Sequence, residues 1–340
     1  MVQRLLFPVL PALVVAAFAC TPTSGNLPDT AENENVSGQS ITYRADASAP
    51  DYAACATQPA SDRASQVCWH WTCDGRAATP STWNGDVASC NAGTLDQGAA
   101  KRTLEMVNLH RFLAGMPAVD IEPAWAPAAQ QCALVAHANA KLSHMPPSSW
   151  SCWSQAAYDA SEVSLVANRS GPPSISAFME DPGNETSVVH RRWLLSEQLV
   201  RVGLGSTDHY ACLVVDGKKL DSEIDAGPID AGVPTGRTWA AWPPEGPVPM
   251  DVITSEQVDS VGWTVQSGED DLDATTAVIS VNGMPRKTTN TLLEAELGSR
   301  SAVLIVPVGW TTAAGTRYEV AVSGVTTHIA FAVEPTDCAL

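Results

Sequence analysis

Between Leu142 and Gly205 the chain gathers its best candidates for chemistry: Leu142-Ser-His144, Ser161-Glu162-Val163, Asn184-Glu185-Thr186 and Val189-His190-Arg-Arg-Trp-Leu-Leu195. Imidazoles and carboxylates ligate divalent cations and move protons near neutral pH. His144 and His190 with Glu162 or Glu185 in one cleft could hold a divalent metal, Zn2+ or else Mg2+ or Ca2+, with a coordination position left open. Glu180 and Asp181 rival Glu185 as the carboxylate beside His190. The residues are dispersed, unlike a compact His-Glu-x-x-His helix, so only the fold can bring them together. Ser143 next to His144 is a poor nucleophile–base pair, because neighbours in sequence rarely face each other and no Gly-x-Ser-x-Gly elbow is present.

The elements that must position these groups can be read from hydrophobic spacing. Met106, Leu109, Leu113 and Met116 fall on one face of a helix over Thr103–Met116 that Gly115 and Pro117 end. A second, Ala-rich helix runs over Pro123–Leu142, and His144 lies just past its end. Ser174–Glu180 reads as a short helix broken by Asp181-Pro-Gly-Asn184, and Asn184 is placed to cap a helix starting at Glu185. Val200–Leu204 and Tyr210–Val215 read as strands joined by a turn at Gly205–Asp208. The predicted class is α+β, with helices layered on a sheet.

These pieces resemble the CAP superfamily, the SCP-domain proteins that include cysteine-rich secretory proteins, antigen 5 and pathogenesis-related 1, and most closely its bacterial extracytoplasmic branch. The resemblance rests on Leu104-Glu-Met-Val-Asn108-Leu-His-Arg111 with Gly115, on Leu142-Ser-His144, on His190-Arg-Arg-Trp-Leu-Leu195, and on Val202-Gly-Leu-Gly205. It implies a three-layer α-β-α sandwich with two His and two Glu lining a central cleft. His144 and His190 match the two histidines, Glu162 matches the first glutamate by order alone, and Glu185 is the carry-over for the second. Lipid, sterol or glycan-like ligands are implied without a choice among them.

The N-terminus reads as an export signal, with Arg4 before the apolar run Leu5–Phe18, too short to span a bilayer. Ala19-Cys20 fits a lipoprotein site. Of nine cysteines, removing Cys20 leaves an even set suited to an oxidising compartment: Cys55, Cys68, Cys73, Cys90, Cys132, Cys152, Cys212 and Cys338. Parity therefore favours lipidation of Cys20 over simple secretion. Residues 1–19 are then a signal peptide and 20–54 a lipid-anchored disordered tether, poor in large apolar side chains.

Residues 55–93 form a small cysteine-bearing module that needs disulfide staples, so Cys55, Cys68, Cys73 and Cys90 are expected to pair among themselves. Cys132–Cys152 and Cys212–Cys338 complete the expected scheme. A CAP domain follows over 94–222, then an acidic Gly/Pro/Asp linker over 223–237. From 238 to 340 regularly spaced apolar runs, such as Val261–Val265 and Tyr318–Val322, read as an antiparallel β-sandwich. Within it, Gly268-Glu-Asp-Asp-Leu-Asp273 lacks EF-hand spacing and reads as a solvated loop. Arg191-Arg192 could bind an anion or simply cover an exposed helix face.

The formal charge of −18 argues against nucleic acid and against electrostatic docking to anionic lipid. The leading functional expectation is a cell-envelope protein that binds an envelope lipid, glycan or protein without catalysis, touching the membrane through a lipid anchor only. A metal-dependent hydrolase of peptide or envelope polymer, and an adhesin acting through the β-sandwich, are the alternatives.

Overall fold

The structure is a computed structural model that describes residues 55, 59–75, 82–217, 220, 237–273 and 275–338. The export signal, Cys20, the tether and most of the acidic linker lie outside these residues. The first half builds a four-stranded sheet in the order β1-β3-β4-β2, from β1 (Asp120–Ile121), β2 (Ser164–Ala167), β3 (Arg201–Ser206) and β4 (Ala211–Val214). β1 runs parallel to β3, and the other neighbours pair antiparallel.

Alternation along these strands sends side chains to two apolar layers. Leu165, Leu204 and Leu213 meet Met106, Ile175 and Phe178 from α2 (Gln97–Leu113) and α5 (Pro172–Glu180). Val166 and Cys212 meet Cys132, Ala133 and Ala160 from α3 (Ala126–Asn139) and α4 (Gln155–Glu162) on the opposite face. The expected three layers are thus present, in an α+β chain. Gly203 and Gly205 explain how α3 comes so near: a Cβ at Gly203 would meet the Trp125 side chain, and one at Gly205 the backbone of Ala129 and Gln130. The strand gives up two side chains so that a helix backbone can lie against it.

The helical stripe expected from Met106 begins earlier than Thr103, because Asp96 caps the helix by accepting from the amides of Gly98 and Ala99. Asn108 fixes the chain after it through both its amide and carbonyl to Val119. Arg111 is fully buried and donates to the carbonyls of Pro117, Leu194, Ser196 and Leu199. Burial lowers its pKa to about 10, so it stays charged at neutral pH with four carbonyls around it.

The second half forms two facing sheets. One has the order β10-β11-β7-β5, from β5 (Trp239–Trp242), β7 (Trp263–Ser267), β10 (Thr288–Leu292) and β11 (Ser301–Pro307). The other has the order β6-β13-β12-β8-β9, from β6 (Gly246–Pro249), β8 (Thr276–Val281), β9 (Met284–Pro285), β12 (Tyr318–Ser323) and β13 (Ile329–Thr336). β12 alternates buried and exposed residues along its length, as a strand with one face on a core must.

One expectation needs correction here. The sandwich is not wholly antiparallel: β6 pairs parallel with β13. The Pro-rich stretch after Trp239 is itself sheet, with Pro247 and Pro249 on an edge strand where a missing N–H is tolerated.

The disulfides are corrected as well. All eight expected cysteines are bridged, but the pairs are Cys55–Cys73, Cys68–Cys338, Cys90–Cys152 and Cys132–Cys212. Only Cys55–Cys73 stays within residues 55–93. Helix α1 (Arg63–His70) packs on β6, and Cys68 in it fastens the end of the chain. The N-terminal segment is stapled outward, to the sandwich and to the loop at Cys152. Four bridges agree with an exported, oxidising environment.

The two halves share a core. Buried side chains run without a break from Met106 and Phe178 through Leu195 and Leu199 to Trp263 and Ile305. Polar bonds reinforce it at α6 (Val189–Leu194). Arg191 and Arg192 are buried, which overturns the reading of them as an exposed helix face. Arg191 donates to the carbonyls of Met179 and Gly262, and Arg192 to Ser299. Gln266 donates back to the Arg192 carbonyl. A Cβ at Gly298 would run into the backbone of Trp193, so the sandwich loop also touches α6 directly.

Candidate functional site

His144 follows α3 after a left-handed turn at Ala140, and His190 is the second residue of α6. Their ring centres lie 6.3 Å apart, with residue exposures of 3% and 9%. Each ring is oriented through its Nδ1. His144 Nδ1 lies 3.1 Å from the Ser161 carbonyl at the end of α4, and His190 Nδ1 lies 2.9 Å from Asp181 Oδ1. A carbonyl or carboxylate at Nδ1 makes that nitrogen the donor and leaves Nε2 with the lone pair, the arrangement found behind metal-ligating histidines. Nε2 of His190 is sealed from solvent and has no hydrogen-bond partner among the described residues. The Phe178 ring packs edge-on against His190 at 5.2 Å.

Asp181 organises this corner. It ends α5 in the left-handed region, at φ 58°, which Asp tolerates better than most residues. Its side chain is fully buried. One oxygen accepts from the Asn184 amide and faces His190; the other accepts from the backbone N–H of His190, 2.9 Å away, and of Arg191. The same carboxylate therefore caps α6 and holds its histidine. The capping expected of Asn184 at Glu185 falls instead to Asp181, and the helix starts four residues later, at Val189.

The two expected glutamates occupy different settings. Glu185 is exposed and accepts from the Gly183 amide, so it supports its own turn rather than His190. Glu162 is half-buried at the end of α4, next to the Ser161 carbonyl that faces His144. Ser143 accepts from the Met145 amide as a turn former. Among the described residues no three His, Cys, Asp or Glu side chains are placed to hold one metal ion. Asp181 stands behind the His190 imidazole of the pair.

Residues 104–215 match the family model of CAP, the cysteine-rich secretory protein family. The match covers about a third of the chain and supports a CAP domain over the segment that carries both histidines. Searches of curated proteins and of solved structures gave no match.

Asp181 was among the carboxylates weighed from sequence, but nothing in its spacing raised it above Glu185. The signal that could have done so is the break itself: a carboxylate in a Pro-Gly turn between two short helices can serve both helix ends.

Proposed function

We propose that this protein binds an envelope ligand or partner, of lipid, sterol or glycan-like chemistry, without catalysis, through the CAP segment around His144 and His190. It is exported, and lipid anchoring through Cys20 would hold it at the cell envelope. The observation that carries the reading is the enclosure of the histidine pair. Both rings are buried and both are fixed through Nδ1. Hydrolysis by a protein-held metal ordinarily uses three protein ligands and an open position. Two imidazoles suit instead a borderline divalent cation such as Zn2+, whose remaining ligands come from solvent.

The test is a paired one. Metal content and binding to lipid or sterol vesicles and to soluble glycan fragments are measured for the parent and for H144A/H190A. The double variant should lose the equivalent of metal held at that pair and keep ligand binding nearly intact. Turnover of envelope peptide or glycan by the parent, lost in the double variant, would overturn the reading in favour of a hydrolase.

A further inference from the structure

A second pair of imidazoles joins the end of α3 to the turn between β3 and β4. His137 sits in the last turn of α3, and His209 lies in the turn between β3 and β4. Their ring centres are 5.0 Å apart with planes at 89°. Trp83 and Tyr210 pack against His137 at 5.5 and 5.8 Å. Nδ1 of His137 is sealed from solvent and has no hydrogen-bond partner among the described residues. An orphaned buried nitrogen costs stability unless something satisfies it.

We propose that His137 and His209 form a second site, distinct from the His144–His190 pair, which takes a borderline divalent transition-metal ion such as Zn2+ through two imidazole nitrogens.

The spacing fits that ion. A Zn–N bond of about 2.0–2.1 Å puts the centre of a ligating imidazole about 3.2 Å from the metal. Two ring centres 5.0 Å apart then subtend roughly 100° at the ion, close to a tetrahedral angle.

The two elements are also held in register before any ion arrives. Cys132, five residues before His137, is bridged to Cys212, three residues after His209. Gln130 clamps Ser206 with a pair of bonds, its amide to the Ser206 carbonyl and its oxygen to the Ser206 N–H. The turn is fixed by Thr207, whose hydroxyl accepts from the amides of His209 and Tyr210. Preorganisation of this kind lowers the ordering cost of binding.

Charge points the same way. Asp208 lies within electrostatic reach and favours a cation there. Imidazole pairs select borderline metals over Mg2+ and Ca2+, which prefer oxygen.

The experiment uses the full chain carrying H190Q, so that the first pair contributes no complete site. Isothermal titration with Zn2+ should show one equivalent bound, and Co2+ should give the intense visible absorption of tetrahedral coordination. Adding H209Q, at an exposed position that leaves the core intact, should weaken that binding at least about tenfold and abolish the Co2+ band. H137Q should do the same. An isotherm that H209Q leaves unchanged, or no Zn2+ uptake by the H190Q chain, would overturn the proposal.

Discussion

The two histidine pairs are built by opposite means. His144 and His190 are buried and fixed through Nδ1 by Ser161 and Asp181, but their ring centres stand 6.3 Å apart. A single ion between them would be nearly collinear with the rings, at roughly 160°, if ligand bonds take their usual length. His137 and His209 stand 5.0 Å apart, near a tetrahedral span, and their protein support comes from the backbone and a disulfide rather than from carboxylates. One pair has its ring orientation set and its separation wide. The other has its separation set and its rings less constrained. A metal site needs both, and the pair that lacks one must obtain it from the ligand.

The largest effect should come from the buried carboxylate. Asp181→Ala removes the partner of His190 and the cap of α6 together, and should cost roughly 3–5 kcal/mol in denaturant unfolding. His209→Gln is the matching change at the second pair. If Asp181→Ala cost no more than that change, the contrast between a built-in and a surface pair would fail.

Removing the Cys132–Cys212 bridge by C132A/C212A should cost about 2–4 kcal/mol. It should also weaken Zn2+ binding at His137–His209 while leaving the environment of His144 and His190 unaltered. Histidine side-chain NMR separates these outcomes, and equal perturbation of both pairs would show that α3 does not isolate them.

A fifth histidine supplies the acid response. His110 in α2 is buried, with Nδ1 on the Met106 carbonyl and its ring against Trp242 of the sandwich, and burial lowers its pKa to about 4. Between the ordinary value of 6.5 and about 4, the unfolded chain binds this proton and the folded chain does not. Stability is therefore full above pH 6.5 and falls as the pH drops, by up to about 3 kcal/mol, levelling off below pH 4. His110→Phe should flatten that slope. A slope that survives the change would move the acid response to the histidine pairs.

The smallest effect is expected from His209→Gln in the absence of metal, within about 0.5 kcal/mol, because the side chain is exposed. In the presence of Zn2+ the parent should gain melting temperature and His209→Gln should not.

Local pattern alone determined a good part of this molecule. The stripe of Met106, Leu109 and Leu113 set α2, and the Ala-rich run set α3. Alternation marked β12 and β13, and an even cysteine set marked full bridging. These features are legible because periodicity and parity act over a few residues or need no partner identified. What required the tertiary structure was every choice of partner. Cys68 reaches Cys338 across 270 residues, and no local rule ranks that pairing above a nearer one. Arg191 and Arg192 look like helix surface until the sandwich supplies the carbonyl of Gly262 and the side chain of Ser299. Asp181, rather than Glu185, holds His190 because a left-handed turn points its short side chain back at the next helix. A side chain's type limits what it can bind, and packing decides which candidate comes within bonding distance.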